Sequence, residues 1–173
     1  MEKKTLIIVD MLNDFVDENG ALYCGPESKK IIPFITERLA EYRKGRGQVI
    51  FLQDAHDKDD LEFQKFPEHA VVGTWGGQII CELAPQSNEI VISKKRYSGF
   101  YRTNLSQVLR DFMPKQVEVT GVCTSICVMD TVGDLANRDY NVIVPRKGVA
   151  DFDSEFHLFA LKRMSRLYGA EVK

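Results

Sequence analysis

A chain of 173 residues is long enough for one compact domain with a sizeable core, expected here to span residues 1–173. Apolar residues make up 44% and charged ones 28%, and a net charge of -2 gives no electrostatic case for nucleic acid or an anionic membrane as partner. The apolar run at residues 5–9 is too short for a signal peptide, and no stretch approaches the roughly 20 apolar residues of a membrane span, so the cytoplasm is the expected compartment.

In chain order, residues 5–9 (Thr-Leu-Ile-Ile-Val) read as a buried strand. Residues 33–44 read as a helix, with Pro33 suited to its first turn and Gly45 and Gly47 ending it. Strands follow at 48–52 and 89–92. Residues 104–112 carry Leu105, Val108, Leu109 and Phe112 at helical spacing. A fourth strand at 116–120 runs into Gly121, then a helix at 125–137, a strand at 141–144 and a helix at 154–167. Residues 171–172 supply the start of a sixth strand. Near-continuous Val/Ile strands are buried on both faces. They predict an α/β protein: a three-layer α/β/α sandwich with a mostly parallel, Rossmann-like, doubly wound sheet.

Such sheets carry their sites at the carboxyl ends of the strands. Those ends hold Asp10, the pair Asp54 and His56, the run Lys94-Lys95-Arg96, and the turn leading to Cys123 and Cys127. A carboxylate, a lysine and a thiol thus converge on one edge. Cys127 is the better nucleophile of the two late cysteines, because it falls in the first turn of a helix. A helix amino terminus favours thiolate, and its free N–H groups suit an oxyanion. Asp10 offers an acceptor for the thiol proton, although a solitary Asp at a strand end more often makes an Asx-turn. A cation beside them favours both anions, but charge alone does not choose Lys94 over Lys95.

Asp54, His56 and His69 offer one carboxylate and two imidazoles for a divalent metal, with Glu62 as a candidate fourth ligand. Any one of these is commonly just a polar loop residue, yet two of the chain's three histidines lie in this segment. Phe15, Phe66, Trp75 and Tyr97 are candidates to wall a flat heteroaromatic substrate, although most aromatic residues simply pack a core.

Three stretches in this order, Ile8-Val9-Asp10-Met11-Leu12-Asn13-Asp14-Phe15, Lys94-Lys95-Arg96-Tyr97-Ser98-Gly99-Phe100 and Gly121-Val122-Cys123-Thr124-Ser125-Ile126-Cys127-Val128, resemble the isochorismatase-like cysteine hydrolases over nearly the whole chain. The resemblance selects Lys94 and implies a triad of Asp10, Lys94 and Cys127. It also implies a cis peptide between Val122 and Cys123, with the Cys123 and Cys127 N–H groups forming the oxyanion hole. Asp54-Ala55-His56, Phe66-Pro67-Glu68-His69 and Gly73-Thr74 resemble the nicotinamidase branch. There Asp54, His56 and His69, joined in some members by Glu62, match the metal ligands. Zinc is the first choice for the ion, with iron and manganese as alternatives. The implied reaction is hydrolysis of nicotinamide to nicotinic acid and ammonia, a step of NAD salvage, by a homo-oligomer. Met11-Leu12 and Cys123 depart from the family pattern, Cys123 standing where a small residue is usual. The rival readings are an amidase for pyrazinamide or a carbamoyl compound, and a non-catalytic interaction module. A redox motif of Cys123 and Cys127 is disfavoured, since three residues rather than two separate them.

Overall fold

The computed structural model describes residues 3–173. Seven parallel strands form its sheet: β1 (Lys4–Val9), β2 (Gln48–Asp54), β3 (Ile90–Lys94), β4 (Gln116–Val122), β5 (Val142–Val144), β6 (Val149–Ala150) and β7 (Glu171–Val172). The order is β3-β2-β1-β4-β5-β7, and β6 pairs with the end of β4. The chain steps outward from β1 to β3, then returns to lay β4 on the free flank of β1. That reversal opens a crevice between the carboxyl ends of β1 and β4, where open α/β sheets bind their ligands.

The pleat divides the apolar residues of β1 between two cores. Leu6 and Ile8 join Phe51, Ile35 and Leu39 under α1 (Asn13–Val16), α2 (Glu27–Lys30) and α3 (Ile32–Lys44). Ile7 and Val9 join Leu52, Leu105, Leu135 and Leu161 under α4 (Leu105–Phe112), α5 (Met129–Ala136) and α6 (Ser154–Arg166). The expected three-layer architecture is therefore present. Pro33 sits in the first turn of α3, which ends at Gly45, and the Asp153 carboxylate caps α6 by accepting the Phe156 N–H. Glu118 of β4 pins α3 to the sheet: buried, it accepts from Nε (2.7 Å) and Nη2 (2.6 Å) of Arg38 and from the Tyr42 hydroxyl (3.2 Å). No helix among the described residues is long and apolar enough to cross a membrane.

Three differences from the sequence reading bear on the site. β2 and β3 run two residues past their apolar stretches, so that Asp54 and Lys94 are strand residues paired in register. β3 is an edge strand whose burial alternates, unlike the doubly buried strands expected throughout. The helix expected at 125–137 opens as a π-helical turn (Thr124–Val128) before α5 begins. The two-residue β6 went unanticipated because so short a strand carries no periodicity.

Gly121 closes the crevice floor. Its φ is +115°, it faces Val9 in the ladder, and a Cβ there would stand 2.0 Å from the Val9 carbonyl oxygen. Gly169 has φ +67° but open space around it. Gly121→Ala is expected to lose on the order of 3 kcal/mol, from overpacking added to backbone strain, and Gly169→Ala only about 1 kcal/mol. Urea midpoints check this, and equal losses at the two sites would remove close strand approach as the reason for Gly121.

Candidate active site

Asp10 follows β1 directly. Its N–H donates to the Leu52 carbonyl (2.9 Å), and its Oδ1 accepts the Asp54 N–H (2.9 Å). These bonds hold a non-glycine residue at φ +50°, a sparsely populated region found most often where function requires it. Lys94 ends β3 beside Asp54. Its ammonium lies 2.7 Å from Asp10 Oδ2, 2.6 Å from Asp54 Oδ1 and 3.5 Å from Cys127 Sγ, and all four residues are buried. The pleat turns its neighbour outward: Lys95 pairs with Asp57 in solvent, and Arg96 reaches Asp60.

The peptide between Val122 and Cys123 is cis, at the position the resemblance implied. The π turn that follows is fastened at several points. Ser125 N–H donates to Asp151 Oδ2 (2.7 Å), Ile126 and Val128 N–H donate to the Cys123 carbonyl, and Thr124 Oγ1 lies 2.9 Å from His157 Nδ1. Cys127 is thereby brought over the end of β1. Its Sγ and one carboxylate oxygen each from Asp10 and Asp54 all lie within 4.8 Å of one another.

Burial governs the charges here. It pushes the Asp10 carboxyl up to about 6, aided by Asp54 and opposed by Lys94. Burial likewise drives the Cys127 thiol well above its usual range, with Lys94 pulling the other way. At Asp54 burial is outweighed by Lys94 and His56, which hold its carboxyl low. At Lys94 burial is outweighed by Asp10 and Asp54, which hold the ammonium charged. The expected help from Lys94 to the thiolate therefore exists but loses to desolvation, and the resting sulfur is a thiol beside a carboxylate of raised basicity. Asp10 Oδ2 is buried and in no aligned hydrogen bond, which leaves it a lone pair for a proton.

Beyond Asp54 lies a second cluster. Asp54, His56 and His69 each offer a ligand atom within 4.8 Å of the others, all from buried residues. His69 Nδ1 is 2.7 Å from the Pro67 carbonyl, which can only accept, so the proton sits on Nδ1 and the Nε2 lone pair is free. His56 Nε2 is fully buried without a hydrogen-bond partner, and its Nδ1 faces Asp60 Oδ2 at 3.1 Å, outside hydrogen-bond alignment. Burial pulls the His56 pKa down, but Asp54 and Asp60 together raise it, so this imidazole is built to meet positive charge. Two imidazole nitrogens and a carboxylate fit a divalent ion of borderline softness. Glu62 stands apart from this trio. It lines the cavity with Oε2 3.7 Å from Arg96 Nη1, and burial and Asp54 raise its carboxyl.

Both clusters open on one cavity of about 310 Å³, within the range of small-ligand sites. Phe15, Phe66 and Tyr97 line it, and the Phe15 and Phe66 rings lie 5.5 and 6.3 Å from the His69 ring. Trp75 does not line it. Its carbonyl accepts from Asn13 Nδ2 and Gln78 N–H, fixing a turn that leaves the residue 51% exposed over a separate surface groove. The wall also includes Ile126, from the turn carrying Cys127, and Leu22, Tyr23, Cys24 and Phe152, on segments that carried no pattern in the sequence. Asp14 is a buried fastener. It accepts from Ala21 and Ala70 N–H, and so ties the wall loop to the residue following His69.

The isochorismatase domain family matches residues 4–173. The chain superposes on the nicotinamidase/pyrazinamidase PncA of Bacillus subtilis with TM-score 0.94, at 34% identity over 98% of each chain. N-carbamoylsarcosine amidase of Thermoplasma acidophilum gives TM-score 0.89 and 33% identity, over 99% of this chain and 95% of that one. The pyrazinamidase of Pyrococcus horikoshii, solved in complex with zinc, gives 0.92 and 29%, over 99% and 98%. The chain belongs to the isochorismatase family of hydrolases.

Proposed function

We propose that this chain is a metal-binding nicotinamidase, a cysteine amidohydrolase that converts nicotinamide to nicotinic acid and ammonia in NAD salvage. One observation carries the substrate choice. The cavity wall is aromatic and aliphatic with three carboxylates, Asp10, Asp54 and Glu62, and contains no arginine and no lysine among its lining residues. A substrate bearing its own carboxylate would find no arginine or lysine to pair with and would have to compete for the divalent ion, whereas an uncharged heteroaromatic amide needs no such pairing. Similarity to a nicotinamidase/pyrazinamidase and to a zinc-bound pyrazinamidase supports the same reading.

In the reaction, Asp10 takes the Cys127 proton, and the thiolate adds to the carboxamide carbon. The N–H groups of Cys123 and Cys127 receive the developing oxyanion. Asp10 passes its proton to the departing ammonia, then accepts one from the water that cleaves the thioester. Lys94 acts throughout as a fixed counter-charge that keeps Asp10 and Asp54 ionised together. Asp54, His56 and His69 would hold a divalent ion, zinc by preference, whose chemistry is to take the ring nitrogen as a ligand. Phe15, Phe66 and Tyr97 confine the ring plane.

Four outcomes are expected. Cys127→Ala should lower ammonia release from nicotinamide by about 10⁴-fold or more while the ligand still binds, as followed by calorimetry. Full turnover in that variant would sink the nucleophile assignment. The purified protein should contain one divalent ion per chain by elemental analysis. Asp60→Ala, which removes the carboxylate behind His56, should weaken that ion about 10- to 100-fold in chelator competition. Finally, nicotinamide should be cleaved with at least about 10²-fold higher kcat/KM than N-carbamoylsarcosine or another carboxylate-bearing amide. The reverse preference would replace nicotinamide with an anionic carbamoyl substrate.

A further inference from the structure

The reaction above uses Cys127 and the backbone of Cys123, but not the Cys123 side chain. Its Sγ lies 2.8 Å from Cys24 Sγ, closer than two unbonded sulfurs ordinarily rest. Both thiols are buried, both are free, and both line the cavity that holds Asp10 and Cys127. They come from distant parts of the chain, Cys24 from the segment between α1 and α2 and Cys123 from the end of β4. Each is anchored from behind: Cys24 N–H donates to the Phe15 carbonyl (2.9 Å), and the Cys123 carbonyl accepts from Ile126 and Val128 N–H. A disulfide needs sulfurs about 2.05 Å apart. The two sulfurs are thus within about 1 Å of bonding distance.

We propose that Cys24 and Cys123 form a redox modification site in the cavity wall, a dithiol that a peroxide entering the cavity converts to an intramolecular disulfide. The first sulfur attacks a peroxide oxygen, the O–O bond breaks, and a sulfenic acid and one water result. The second thiol then attacks that sulfur, the S–S bond forms, the S–O bond breaks, and a second water leaves with the remaining thiol proton. Two thiols lose two electrons in total and one peroxide gains them. The cavity thereby has two wall states, and the oxidised one ties the Leu22–Cys24 wall segment to the turn carrying Cys127. Cys81 lies exposed away from the cavity beside Glu82 and takes no part.

The test needs no substrate, so it stands or falls independently of the nicotinamidase reading. Reduced, metal-loaded protein is treated with one equivalent of hydrogen peroxide, blocked with iodoacetamide, and digested without reductant for mass spectrometry. Wild type and Cys127→Ala are run in parallel, so that oxidation of the nucleophile cannot be mistaken for oxidation of the pair. The expected product is a Cys24–Cys123 peptide lighter by two hydrogens, reversed by dithiothreitol, with Cys81 still open to alkylation. The crosslink spans a long chain loop, so the oxidised protein should melt at least about 5 °C higher. Cys24→Ser should give no crosslink and no shift in melting. Recovery of Cys24 and Cys123 in alkylated form, or a crosslink joining Cys123 to Cys127 instead, would overturn the proposal.

Discussion

The ammonium of Lys94, buried between two carboxylates, is the contact on which the site depends. A buried lysine without partners would lose its charge, and two neighbouring buried carboxylates without a cation could not both ionise. With Nζ 2.7 Å from Asp10 and 2.6 Å from Asp54, each group keeps the others charged. The contact also spans three strands, because Asp10 follows β1, Asp54 ends β2 and Lys94 ends β3. It therefore couples the thiol side of the cavity to the histidine side through one shared charge. Removing any member strands a charge in a low-dielectric site, so the cluster is bound to the register of the sheet as much as to any chemistry.

That coupling sets the proton balance. Desolvation raises Asp10 to about 6 and carries Cys127 well above its ordinary range. A thiol of high pKa is a poor nucleophile at rest, and a carboxylate of raised pKa is a better acceptor for its proton. In the proposed reaction, transfer would come with substrate, when the N–H groups of Cys123 and Cys127 begin to share the negative charge. It disfavours a standing thiolate exposed to oxidants. A site that relied on a preformed thiolate would need a less buried sulfur or a second cation, and neither is present among the residues around Cys127.

The sheet and its helices were legible because apolar periodicity and buried Val/Ile runs depend only on local sequence. Strand ends were less legible, because polar residues such as Asp54 and Lys94 end the apolar signal while the ladder continues beneath them. Lys94 could have been separated from Lys95 by pleat alone. Ile90 and Ile92 point inward on the edge strand, and the same alternation carries on to residue 94. That a carboxylate, a lysine and a thiol share one edge was readable from the strand ends, whereas choosing Lys94 and matching Asp54, His56 and His69 to metal ligands took the family resemblance. Trp75 misled because nearness in sequence says nothing about which way a turn sends a side chain. Cys24 and Phe152 were invisible for the converse reason: their segments carry no period, and only the fold brings them to the cavity.

Division of labour between strands and loops follows from these placements. Asp10, Asp54 and Lys94 sit at strand ends, where hydrogen-bonded registers fix them, whereas most of the wall comes from segments outside the sheet. A change of substrate then requires new loop residues but no movement of the charged centre. This accounts physically for close superposition of the chain on amidases named for substrates as different as nicotinamide and N-carbamoylsarcosine. Specificity must accordingly be sought in what the wall lacks as well as in what it contains. Here the wall lacks an arginine or lysine side chain to receive an acid, and the Lys94 ammonium is already enclosed by Asp10 and Asp54.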